Sequence, residues 1–185
     1  MKRKTILCLC IIIILTVYSN VILAHELDPF GSEDLGYLYK GSHWESKNTD
    51  YISGGSNLYW NEIFELGIWK FEYETNIDFN IEKVSNSFNY IDDVIDDSVT
   101  WVGLCTFYYV QQQHPNRWSI KFNEYYKDKY TKAEWITIAA HEIGHVFGLD
   151  DLYEPKNDDK LMYGYANGIR NVTNEDNIGF GLIYK

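Results

Sequence analysis

The sequence predicts a single α+β domain. Apolar residues recur at helical spacing over 59–73, alternate with polar ones from Ile77, and return to helical spacing after Thr131, so strands fall between two amphipathic helices. A chain of 185 residues that is 45% hydrophobic can bury one good-sized core but not two.

Lys2-Arg3-Lys4 precede an apolar run from Ile6 to Tyr18, then Ser19-Asn20 and Val21-Ile22-Leu23-Ala24. That is the layout of a secretory signal peptide over residues 1–24. An uncleaved signal anchor is the alternative: residues 6–24 approach the roughly 20 that span a bilayer, and Ile22 is not the small residue cleavage prefers. Cleavage makes the protein secreted and extracellular; retention leaves it membrane-anchored with its domain outside the cytoplasm. Residues 25–35 read as a short leader and 36–185 as the folded domain. His25 and His43 sit in poorly patterned sequence and read as incidental.

Trp60, Ile63, Phe64, Gly67, Ile68 and Phe71 make the apolar face of a helix over 59–73, with Asn57 placed to cap it. Ile77, Phe79 and Ile81 alternate with polar residues, a half-buried strand over 77–84. Asp92-Asp93 and Asp96-Asp97 then read as a solvated acidic loop, and Asp158-Asp159 as another; because loop carboxylates are the usual ligands of calcium, Ca²⁺ is kept as a second candidate ion. Two strand-like runs, 101–110 and 118–122, flank a polar turn at 111–116, where His114 beside Pro115 reads as solvent-exposed. Thr131-Lys132-Ala133-Glu134 forms a capping box ahead of Trp135, Ile136, Ile138 and Ala139. A last helix is expected from Thr173 to Ile183 or Tyr184, with acidic residues in its first turn.

A formal charge of −11 repels phosphate backbones, which excludes nucleic acid as the expected partner. Cys8 and Cys10 fall within the signal segment, leaving Cys105 without an internal disulfide partner; its apolar neighbours make it a buried, inert thiol.

The chemistry is concentrated in His141-Glu142-Ile143-Gly144-His145-Val146-Phe147-Gly148-Leu149-Asp150-Asp151. Residues four apart on a helix share a face, so His141 and His145 can offer both imidazoles to one ion. Glu142 adjoins the first ligand off that face, where its carboxylate can take a proton from activated water as a general base. Gly148 can enter the left-handed region, stop the helix and return the chain toward the ion. Asp151 then arrives ten residues after His141, where the extended zincin pattern carries its third ligand. Two imidazoles and a carboxylate leave a fourth tetrahedral position open, as catalytic zinc requires. The same donor set suits Fe(II), but the adjacent Glu142 favours hydrolysis, and elemental analysis distinguishes the two.

This segment resembles the metzincin metalloproteases, and Asp151 in place of the third histidine is similar to the small secreted snapalysin-type members. Leu161-Met162-Tyr163 resembles the Met-turn of the matrixins, an apolar floor beneath the zinc ligands. Astacin-like and serralysin-like enzymes carry a tyrosine two residues after that methionine; here Gly164 stands there, so no catalytic tyrosine is assigned. The resemblance covers most of residues 36–185 and implies a zincin fold, a twisted mixed sheet over a long helix and the active-site helix, with a C-terminal helix. It also implies one catalytic Zn²⁺ and an endopeptidase activity, with 103–109 as the edge strand along which a protein or peptide substrate lies extended. A monomer is expected. The alternative is a non-catalytic peptide-binding module on the same scaffold, against which the intact Glu142 argues.

Overall fold

The first long helix, α1 (Leu58–Glu74), starts where Asn57 Oδ1 accepts a hydrogen bond from the Tyr59 amide at 3.1 Å, satisfying a donor that the first turn leaves open. Its predicted apolar face is the buried one: Trp60, Ile63, Phe64, Ile68 and Phe71 all enter the core. The computed structural model describes residues 30–54 and 57–185. The predicted signal segment and His25 lie outside the described residues.

The second long helix, α2 (Lys132–Val146), begins with the predicted capping box, in which Thr131 and Glu134 bond each other's backbone amides. The two helices touch at Gly67, where a Cβ would lie only 2.5 Å from the Ala139 Cβ, so the glycine permits their close approach. Trp60 stacks on Phe122 at 5.4 Å and meets Trp135 edge-on at 4.7 Å, joining both helices to the sheet. The last helix, α3 (Asn174–Ile183), is capped by Thr173 with Asp176 as its reciprocal partner, and buries Phe180 and Ile183.

The remaining elements are β1 (Gly31–Ser32), β2 (Tyr37–Leu38), β3 (Asn48–Ser53), β4 (Asn80–Lys83), β5 (Tyr90–Val94), β6 (Gly103–Tyr108) and β7 (Arg117–Asn123). Among the described residues, β4-β3-β5-β7-β6 form one sheet in that order. β3 pairs in parallel with β4 and β5, and β5 in parallel with β7, while β6 runs antiparallel to β7 and ends the sheet. The fold is therefore α+β with a mixed sheet, and the hairpin predicted from 101–122 supplies one edge.

Two expectations need correction, and one strand was not foreseen. Asp92 and Asp93 lie on β5 rather than in an acidic loop, which is confined to the residues after Val94. β5 places only Ile91 deep in the core, and its mixture of one buried apolar side chain with carboxylates resembles a loop in sequence. β3 was hidden for a similar reason: its buried positions are Thr49 and Tyr51, set among exposed polar residues. The strand expected over 77–84 pairs only at Asn80–Lys83, although Phe79 and Ile81 both point into the core as the alternation requires.

The N-terminal end of the described chain wraps the far end of α2. β1 and β2 form a hairpin that includes residues the sequence places in a leader, and Phe30 stacks on Tyr39 at 4.8 Å. The Lys40 amide donates to the Gly148 carbonyl at 2.8 Å and the Asp150 amide to the Leu38 carbonyl at 2.7 Å. This strap pins the turn that carries the chain from His145 to Asp151.

Candidate metal centre

α2 ends in a Schellman turn. The Gly148 amide donates to the His145 carbonyl at 3.0 Å and the Leu149 amide to the Gly144 carbonyl at 3.2 Å. Gly148 has φ of +104°, and a Cβ there would meet the His43 Cβ at 2.7 Å, so both backbone conformation and space call for glycine. The turn brings Asp151 back onto the helix face that bears His141 and His145.

Asp151 Oδ1 lies 3.1 Å from His141 Nε2 and 3.6 Å from His145 Nε2. One ligand atom from each residue fits within a span of 4.8 Å. The other ring nitrogens are committed: His141 Nδ1 donates to the Leu161 carbonyl at 2.9 Å, and His145 Nδ1 to the Leu149 carbonyl at 2.8 Å. A carbonyl can only accept, so Nδ1 carries a proton in each ring, and Nε2, whose lone pair is free when the ring is neutral, is the nitrogen that faces the common point. Backbone carbonyls fixing the outer nitrogen in this way are the usual support of a metal-binding histidine.

Burial pushes the Asp151 pKa up, but the two imidazoles outweigh it and hold the carboxyl well below its ordinary range. Burial would likewise lower the His141 pKa, yet Asp151 and Glu142 prevail and raise it. The carboxylate thus sets negative charge against both Nε2 atoms, an arrangement that can hold a cation between them. Two nitrogen donors and one carboxylate oxygen, beside an open cavity, fit a tetrahedral zinc with one position left for reactants.

Glu142 is 5% exposed and reaches across to the edge strand, where Gly103 makes room for it: a Cβ on Gly103 would lie 2.5 Å from Glu142 Oε1. Met162 is fully buried, with its sulfur against the backbone of Gly144 between the two histidines, where a Cβ would lie 2.4 Å away. It forms an apolar floor under α2. Leu161, whose carbonyl orients His141, is itself held by Asp176 Oδ2, which accepts from the Leu161 amide at 3.2 Å.

A cavity of about 520 Å³ opens over the site, bounded by 100–105 on the edge-strand side and by Tyr163, Tyr165 and Ala166 opposite. Cys105 also lines it, and burial pushes the thiol far above its ordinary pKa, with Glu142 adding to the effect, as expected of an inert cysteine.

No family model matches this chain, and no curated protein matches it. Among solved structures, a chain of the "GM1 bound form of the ECX AB5 holotoxin" is similar at 13% identity, over 84% of this chain and 91% of that one, with a TM-score of 0.43. A likeness of that degree carries no argument about activity.

Three residues acquire roles that the sequence did not disclose. Tyr153 donates its hydroxyl to Asp151 Oδ2 at 3.1 Å, and burial followed by the Asp151 charge pushes its pKa up to about 12. Its ring occupies the space beside Gly164, where a Cβ would lie 2.6 Å from the ring and 3.1 Å from Asp151 Oδ1. Gly164, two residues after Met162, thus admits a tyrosine from another segment. Glu33 accepts from the Tyr153 amide at 2.6 Å, the Glu154 amide at 3.2 Å and Asn157 Nδ2 at 2.7 Å, clamping the loop after Asp151 to the N-terminal hairpin. His43, expected to be incidental, is 2% exposed, lies 3.0 Å from the Tyr39 hydroxyl through Nδ1 and packs edge-on against His114 at 4.8 Å. That packing also removes much of His114 from solvent, correcting the exposed turn residue expected there; its side chain is 21% exposed.

Proposed function

We propose that this protein is an exported zinc-dependent endopeptidase of metzincin type, with His141, His145 and Asp151 as metal ligands and Glu142 as general base. The observation that carries the reading is the convergence of two Nε2 atoms and Asp151 Oδ1, with both Nδ1 atoms already spent on carbonyls, next to a buried glutamate facing an open cleft. The floor made by Met162 beneath Gly144 and the antiparallel edge strand β6 add support from elements remote in sequence.

A zinc ion held there would supply Lewis acidity, polarising the scissile carbonyl and making water at the site easier to deprotonate. The protein's own residues do the rest. β6 has one unpaired edge, to which an extended peptide can add by main-chain hydrogen bonds, setting its carbonyl over the site with little demand on sequence. The Glu142 carboxylate accepts the proton of the attacking water and returns it to the departing amine nitrogen. The walls of the cleft limit solvent around that transfer.

Glu142→Ala separates metal binding from chemistry. The variant is expected to keep its zinc, read by elemental analysis, while losing about 10²- to 10⁴-fold in peptide-bond cleavage. Undiminished cleavage would remove Glu142 from the mechanism.

A further inference from the structure

Two basic side chains line the cleft, Lys40 and Arg170, and they differ in what they hold. Arg170 is committed: Nε donates to the Asp158 carbonyl at 2.7 Å, one terminal nitrogen to the Tyr165 carbonyl at 3.0 Å and the other to Asn167, while the guanidinium lies 4.8 Å from the Tyr163 ring centroid. It ties together the wall that follows the Met-turn. Lys40 makes no side-chain hydrogen bond or ion pair among the described residues, whereas surface lysines such as Lys83 and Lys132 find carboxylates at 2.8 and 2.7 Å. Its backbone is fixed on the strap by the bond to Gly148, at the C-terminal end of α2, and the half-buried residue lines the cleft. Gly103, Leu104 and Cys105 of the edge strand line the same cleft as Lys40, so a chain laid on β6 shares that cleft with its side chain.

We propose that Lys40 is a specificity residue that receives a carboxylate of the substrate, on the flank of the scissile bond next to the C-terminal end of α2. The proposal rests on the peptidase reading above. In a chain with a formal charge of −11, a free ammonium in a partly desolvated cleft is a local exception to the surrounding field, so it attracts an anionic group to one position rather than steering acidic proteins generally. The carboxylate has two sources, an Asp or Glu side chain within the substrate or the free C-terminus of a short peptide.

The test uses internally quenched peptides that differ at one position at a time on each side of the cleaved bond, Glu against Gln, together with truncated peptides ending in a free carboxylate or an amide. At one position the wild type is expected to favour the carboxylate by about tenfold in kcat/KM, the order expected of one charge-assisted hydrogen bond. The Glu–Gln pair assigns it to a side chain, the carboxylate–amide pair to a chain terminus. Lys40→Met should bring the ratio to about one, and Lys40→Glu should invert it, favouring the uncharged Gln or amide peptide. Each ratio is read within one variant, so a general loss of activity cancels. A tenfold preference that survives Lys40→Met, or a wild type indifferent to the carboxylate everywhere, overturns the proposal alone. Failure of the wild type to cleave any peptide removes it along with the peptidase reading.

Discussion

The Tyr153 hydroxyl shows how much of the centre lies outside its three proposed ligands. Asp151 presents Oδ1 to the histidines and receives the tyrosine proton on Oδ2, so its carboxylate is held from both sides. Groups that orient a ligand in this way are typically worth 10- to 100-fold in metal affinity. Tyr153→Phe is therefore expected to weaken zinc binding by about tenfold, in a competitive titration against a chromophoric chelator, without loss of folded structure. An unchanged affinity would make the bond incidental. The convergence of His141, His145 and Asp151 was legible because their relation is local: a four-residue helical spacing and one glycine turn fix where three side chains meet. Tyr153 lies two residues past Asp151 and could have been suspected, but its placement depends on Gly164 leaving space, a contact no periodicity encodes.

The elements that were legible are those whose burial follows a regular period. α1, α2 and α3 each bury one stripe and begin at a side-chain cap, and β6 and β7 carry enough apolar residues to stand out. β3 and β5 run through the middle of the sheet yet bury only Thr49, Tyr51 and Ile91 deeply, so their sequences read as polar connection. The β1–β2 hairpin was invisible for another reason: its strands have two residues each, and Glu33 acts on a loop 120 positions away. That clamp has a pH signature. Burial raises the Glu33 pKa, but its bonds to the Tyr153 and Glu154 amides, Asn157 and the charge of Lys156 outweigh it and lower it below 4.5. A depressed carboxylate contributes stability that is present above its unfolded value and lost as pH falls through the folded one. Glu33→Gln should accordingly lower the thermal midpoint at pH 6 to 8, and the gap between variant and wild type should close as pH drops below about 4.5. A gap that widens on acidification would contradict this role.

Across the molecule, the sheet, the strap and the helix turn all serve one geometry. α2 lies against the edge strand, so Glu142 and the open edge face the same cavity, and the strap ties residues 38–40 to the segment between His145 and Asp151. Among the described residues no helix is long and apolar enough to cross a membrane; whether residues 1–24 are removed, as the proposed export signal requires, is answered by N-terminal sequencing of the purified protein. The central claim is that His141, His145 and Asp151 hold a zinc ion that makes this chain a peptidase. The most direct measurement is the cleavage of casein by the purified protein before and after a zinc chelator, followed by stoichiometric zinc. Cleavage abolished by the chelator and restored by about one equivalent of zinc is the predicted result; cleavage indifferent to the chelator, or none from zinc-loaded protein, would contradict it.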